Sequence, residues 1–263
     1  MTSHSSLRVE MRQGLAVVSL AQPSRGNPID GDLARDFKHL VRDLGDNPGL
    51  RAVLLRADGD NFSFGGDLKA LYPRRATLAP LVRQWTGDLH LGLQRFWQLP
   101  VPVVVAVQGW AMGGAAALLA GGDMVLAGQS CRIGSAFAKI GFSCDSGSSV
   151  TLTARMGPAR AKRFVMMGEV LSSHDALQAG LVDRVVPDAE LQAAALAVST
   201  ELAEGPTLAY GEIKRLFLRA SGAVLEAQLE DEAMTLARVC ASADSQEGIA
   251  AQVERRNPVF RGC

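Results

Sequence analysis

The stretch LPVPVVVAVQGWAMGGAAALLAGGD, residues 99–123, decides how this chain folds. The run from Val101 to Val107 is apolar without alternation, the pattern of a strand covered on both faces. After a tight entry at Gly113 and Gly114, small residues at Ala115, Ala116 and Ala117 predict a helix. AMGGAAALLAGGD, residues 111–123, carries no side chain able to act as acid, base or nucleophile ahead of its terminal Asp123, so whatever the glycine entry contributes comes from its main chain.

A second unit precedes it. RAVLLRAD (51–58) predicts a buried strand, and GDNFSFGGDLKAL (59–71) a glycine-bearing loop entering a short helix. Upstream, LRVEMRQGLAVVSL (7–20) predicts a hairpin turning near Gly14. Leu33, Phe37, Leu40, Val41 and Leu44 then fall at helical spacing within Asp30 to Leu44. MVLAG (124–128), CRIG (131–134) and LVDRVVP (181–187) predict further short strands. GPARAKRFVMMG (157–168) starts a helix at proline, and SSHDALQAG (172–180) runs from a serine cap to a glycine stop. From Asp188 to about Glu254 the sequence predicts helices separated at EGPT, ASGA and ASADS. The expected organisation is a core over residues 1–190 and a helical region over 191–263.

Composition excludes several classes. Lys plus Arg and Asp plus Glu both number 27, so the formal charge is zero and no basic footprint for nucleic acid exists. The four cysteines, Cys131, Cys144, Cys240 and Cys263, form no CxxC pair and read as reduced thiols, with no metal expected. The first twenty residues show neither a basic region with a long apolar run nor a membrane span, so the expectation is a cytoplasmic protein without membrane contact. No phosphate loop of the GxxxxGK[ST] or GxGxxG kind follows either strand. Each strand-to-loop junction instead pairs glycines, Gly65 with Gly66 and Gly113 with Gly114. Each pair alone reads as a tight turn. Two such junctions converging would present main-chain N–H donors to an oxyanion.

NFSFGGDLKAL, VAVQGWAMGGAAALLAGGDMVLAG, GEVLSSHDALQAGLVDRVVP and EGIAAQVERRNPVFRG, in this order and spacing, resemble the enoyl-CoA hydratase/isomerase (crotonase) superfamily over almost the whole chain. The resemblance implies an α/β fold of the ClpP/crotonase type, with repeated ββα units and a helical C-terminal region that trimerises into a homotrimer or homohexamer. It implies an acyl-CoA thioester as the partner molecule, with coenzyme A entering as part of the substrate and no prosthetic group. It places the oxyanion-binding amides at Gly66, after the glycine of an FxxGxD pattern, and at Gly114. Contacts to coenzyme A are implied for Arg25, Gly26, Asp67, Leu68, Lys69 and Phe260.

Two departures bear on the reaction. The family's hydratases carry one glutamate where this chain has Ala117 and another where it has Phe137. Hydration needs a base for water and an acid for the α-carbon, and neither carboxylate is present. Asp145, in GFSCDSGSS, matches the aspartate of some isomerases of the superfamily and the nucleophile of 4-chlorobenzoyl-CoA dehalogenase; it also reads as a helix N-cap. His90, in TGDLHLGLQRFWQL, matches that dehalogenase's basic histidine, or is structural. Phe137 reads as an acyl-pocket wall or as core, Lys69 as a phosphate contact or a solvated charge, and Ala117 and Met112 as acyl-pocket residues. Met112, Met166 and Met167 also read as gap-filling core residues. The expected activity is double-bond or ring isomerisation with Asp145 as proton shuttle. The alternatives are an acyl-CoA hydrolase or dehalogenase-like displacement using Asp145 and His90, and a non-catalytic acyl-CoA binder.

Overall fold

β1 (Leu7–Arg12) and β2 (Leu15–Leu20) pair antiparallel across a turn at Gln13 and Gly14, where the sequence predicts the hairpin. In this computed structural model, which describes residues 5–220 and 225–259, the hairpin is the edge of a six-stranded sheet. α1 (Gly31–Gly45) follows, started by Asp30, whose carboxylate accepts the main-chain N–H groups of Asp32 and Leu33 at 3.1 and 3.0 Å. The apolar stripe read from sequence, Leu33 to Leu44, is its buried face.

β3 (Ala52–Ala57) runs parallel to β2. The chain then passes through α2 (Leu68–Leu71) and α3 (Leu78–Trp97) to β4 (Val103–Val107), parallel again. β5 (Trp110–Met112) leaves the sheet, and α4 (Gly114–Ala120) leads back to it at β6 (Met124–Gly128). β7 (Arg132–Gly134) pairs with β5, and after α5 (Ser148–Met156) and α6 (Pro158–Met166) β8 (Val170–Ser172) completes a second, three-stranded sheet. α7 (Ser173–Gln178) begins with a reciprocal Ser172–Asp175 capping box. β9 (Arg184–Val186) closes the large sheet in the order β1-β2-β3-β4-β6-β9.

Both faces of the large sheet are covered, which is why β4 reads as an unbroken apolar run. Val103, Val105 and Val107 face α1, α3 and α4, while Val104 and Ala106 face α8 (Leu191–Glu204) on the other side. The expected boundary at residue 190 therefore falls just ahead of a helix whose Leu191 and Ala195 pack against Leu54 and Leu126 of the sheet. α9 (Thr207–Ala220), α10 (Leu225–Cys240) and α11 (Ala243–Glu254) complete the helical C-terminal region, and α10 lies along α3. The architecture is thus the expected α/β core followed by helices. One core assignment is corrected: Met166 and Met167 are 67% and 69% exposed at the end of α6, because the helix buries Ala161 and Phe164 on its other face. Cys131, Cys144 and Cys240 are in no disulfide among the described residues, and Cys263 lies outside them. Among the described residues no helix is long and apolar enough to cross a membrane, and no group of three or more His, Cys, Asp or Glu could hold a metal.

α1 and α3 meet through Phe37 and Phe96, edge to face with centroids 5.1 Å apart, and both are fully buried. Phe96→Ala is expected to lower the unfolding free energy by about 3–5 kcal/mol in denaturant titration. Met166→Ala, at a site 67% exposed, should change it by less than about 0.5 kcal/mol.

Candidate active site

Both glycine pairs lie past the C-terminal ends of parallel strands, where loops of an α/β sheet converge on ligands. The loop after β3 is stitched down on two sides. Ser63 N–H donates to the Trp110 carbonyl, the Met112 N–H donates back to Ser63, and Phe64 N–H donates to Gly26, all at 3.0 Å. Gly65 N–H is taken by Ser63 Oγ at 3.0 Å, and the Gly65 carbonyl accepts from Ile29 N–H at 2.8 Å. Gly65 itself has φ +81°, and a Cβ there would stand 2.6 Å from the Met112 carbonyl oxygen, so only glycine fits. The next amide, that of Gly66, donates to no group among the described residues.

The second junction repeats this logic. Gly113, at φ 58° and ψ −123°, donates its N–H to the Gly134 carbonyl of β7 at 2.9 Å. Gly114 then opens α4 as its first residue, where an N–H has no partner within the helix. Among the described residues it has none outside the helix either. Gly66 and Gly114 line one cleft, enclosing about 810 Å³ with its open mouth. Its walls are largely apolar and include Phe64, Trp85, Phe137, Phe142 and Leu236. Two free donors in such a cleft can together bind one carbonyl oxygen and hold negative charge that develops on it.

Asp145 lies in the same cleft wall. Its carboxylate does not cap a helix: α5 has Gly147 at its N-cap with no side-chain cap, and Ser148 Oγ donates to the Asp145 main-chain carbonyl instead. This leaves the carboxyl group to the cleft, where burial pushes its pKa up to about 6 against the opposing effect of a hydrogen bond from Ser146 Oγ at 3.0 Å. Asp30 also lines the cleft, but its oxygens are committed to the start of α1 and to Arg25 at 2.7 Å.

His90 is not brought to the cleft. It is buried in α3 with both ring nitrogens engaged by main chain: Nδ1 lies 2.7 Å from the Leu229 carbonyl, and Nε2 accepts the Ser146 N–H at 3.2 Å. These partners require the neutral ring with its proton on Nδ1, and burial pushes its pKa down to about 4. The structure therefore departs from the expectation of His90 as a base at the acyl group, because no lone pair remains for it.

Phe137 lines the cleft across from Gly113. Ala117 is fully buried within α4 and does not reach the cleft. Met112 departs from its expected pocket role: its thioether lies against Gly134 and Val170 of the second sheet, since β5 turns that side chain away. Of the residues expected at coenzyme A, Leu68 lines the cleft and Lys69 beside it is exposed. Arg25 bridges Asp30 and Asp67, both at 2.7 Å, tying the Gly66 loop to the start of α1. Asp67 also caps α2 through Ala70 N–H, and Gly26 packs under the Phe64 ring. Phe260 lies outside the described residues. Sequence reading missed Trp85 and Ser146. Trp85 could have been found by extending the helical spacing of Val82, Leu89 and Leu93; Ser146 carries no such signal.

The sequence model described as enoyl-CoA hydratase/isomerase matches residues 10–263. The chain is 32% identical to a probable enoyl-CoA hydratase of Rhodobacter capsulatus, covering 99% of each chain. It is 30% identical to the 1,2-epoxyphenylacetyl-CoA isomerase of Escherichia coli over 96% of this chain and 97% of that one. The crystal structure of an enoyl-CoA hydratase/isomerase from Pseudoalteromonas atlantica superposes with a TM-score of 0.87 at 29% identity, covering 98% of this chain and all of that one.

The half-buried carboxyl in its largely apolar cleft makes a prediction that needs no substrate. Because folding raises the Asp145 pKa, its charged form opposes folding, increasingly as pH rises from about 4 to about 6. Asp145→Asn should melt higher than the wild-type chain at pH 7.5, and the gain should shrink toward zero as the pH is lowered to 4. A variant melting lower at pH 7.5 would contradict this burial.

Proposed function

The chain belongs to the enoyl-CoA hydratase/isomerase family, and from that premise we propose that it isomerises an acyl-CoA thioester, shifting a double bond or opening a ring through an enolate. The thioester oxygen accepts the N–H groups of Gly66 and Gly114. Asp145 removes a proton from C2, and the electrons move onto that oxygen, where the two amides stabilise them. For a 3-enoyl thioester the resulting dienolate takes the same proton back from Asp145 at C4, giving the conjugated 2-enoyl isomer. One carboxyl group serves as base and then as acid, and its raised pKa suits both roles near neutral pH.

The observation that carries this reading is the one carboxyl among the described cleft residues that neither caps a helix nor pairs with a cation, beside two free amides. Hydration calls for a second acid–base group. The two hydratase glutamate positions hold Ala117, which does not reach the cleft, and Phe137, which walls it. Displacement or hydrolysis calls for His90 beside Asp145, and His90 spends both nitrogens on main chain. A relative named for epoxide isomerisation adds support for isomerase chemistry. Coenzyme A would run past Leu68 toward the exposed Lys69, whose ammonium suits a phosphate. A trimeric or hexameric assembly would cover the α9 face that exposes Leu208, Ile213, Leu216 and Phe217.

Screening 3-enoyl-, dienoyl-, epoxy- and aryl-CoA thioesters by mass and ultraviolet absorbance should give isomerised product of unchanged mass. Asp145→Asn should lower kcat by at least about 10³-fold while acyl-CoA binding, measured by calorimetry, persists. Full activity in that variant, or a product heavier by one water, contradicts the proposal. The amides are tested separately. A Cβ on Gly66 meets nothing within 4 Å, so Gly66→Ala keeps the donor and should keep activity. Gly66→Pro removes the donor and should lower kcat by roughly 10²–10³-fold.

A further inference from the structure

We infer that Ser146 and His90 form a positioning relay for Asp145: His90 holds the Ser146 main chain, and the Ser146 hydroxyl holds the carboxylate. The inference rests on the reading of Asp145 as the proton-transferring group. Ser146 is buried at φ 56°, in the left-handed region that a serine enters only under strain. Such a conformation persists only where its surroundings impose it. Here the Ser146 N–H is received by His90 Nε2, and His90 is locked in the accepting tautomer by its Nδ1 contact with Leu229 of α10. The strained turn aims the hydroxyl into the cleft, where it donates to Asp145 Oδ1 at 3.0 Å. The Ser146 Oγ also stands 2.7 Å from where a Cβ on Gly114 would sit. One hydroxyl is thus wedged between the free amide of α4 and the carboxylate, and it sets the spacing between them.

The hydrogen bond acts on charge as well as position. Donation from Ser146 favours the ionised carboxylate and opposes the burial that raises its pKa. The other titratable groups around Asp145 are His90 from α3, Cys240 from α10, Cys144 beside it and Asp30 across the cleft. Burial keeps His90 neutral above about pH 4 and the Cys240 thiol neutral up to about 12, and Asp30 is paired with Arg25. Ser146, which hydrogen-bonds the carboxylate directly, is placed to tune Asp145 through the neutral range.

The test uses the full chain with trans-3-hexenoyl-CoA, following the absorbance of the conjugated product against pH. Ser146→Ala and Ser146→Gly both keep the N–H that His90 receives and delete the hydroxyl, and glycine also relieves the positive φ. Both should lower kcat by about 10- to 100-fold with KM within about threefold. Both should move the ascending limb of the kcat profile up by about half a unit to one unit. His90→Gln can still receive the Ser146 N–H, whereas His90→Asn can keep only the Leu229 contact. If His90 acts through Ser146, the glutamine variant retains a much larger kcat than the asparagine variant even when both are equally destabilised. Ser146 variants with wild-type kcat and pH profile, beside an inactive Asp145→Asn, overturn the relay and leave the shuttle standing. An active Asp145→Asn overturns the shuttle itself.

Discussion

The site depends on hydrogen bonds that consume the wrong amides. Gly113 gives its N–H to the Gly134 carbonyl of β7, and Gly65 gives its own to Ser63 Oγ. Once these two are pinned, the following amides at Gly114 and Gly66 have nowhere to donate within the described fold. Two loops that would otherwise be free to pair with themselves are held open toward one cleft. The cross-loop contacts through Ser63, Trp110 and Met112 hold the two loops together, so the donors share one rigid frame. Preorganised donors of this kind stabilise charge without having to reorient as it forms.

Opposite this frame stands a carboxyl group whose surroundings disfavour its charge. Asp145 is charged with difficulty in its apolar wall, and the neighbouring turn is strained at Ser146. Both costs fall on adjacent residues, and both are held by groups with no contact of their own in the cleft chemistry, chiefly His90 and the α10 carbonyl it reaches. Stability given up at the candidate site is offset by the packing around it, here the contacts of α3 with α1 and α10. Through the proposed relay, α10 would have a part in placing the carboxylate.

Much of this was legible in the sequence. The uninterrupted Val101–Val107 run reports a strand buried on both faces, the stripe from Leu33 to Leu44 reports α1, and the paired glycines report both junctions. Asp145 stood out because two expected glutamates were missing. What could not be read is tertiary. A histidine on a helix looks the same whether its ring faces a ligand or a main chain, and only the fold shows that His90 is taken by Leu229 and Ser146. Met112 sits beside the glycines in sequence, yet the pleat of β5 turns it to the second sheet. Ser146 adopts a positive φ without being glycine or asparagine, so no local preference announces it.

The central claim is that one carboxyl group performs both proton transfers. Carrying deuterium at C2 of trans-3-hexenoyl-CoA through a single turnover in ordinary water tests this most directly. A shielded Asp145 that takes the label and returns it predicts 2-hexenoyl-CoA with a substantial fraction of the deuterium at C4, located by NMR or fragment mass. Product with no deuterium at C4 would mean that separate groups, or water, handle the two transfers, and would contradict the account.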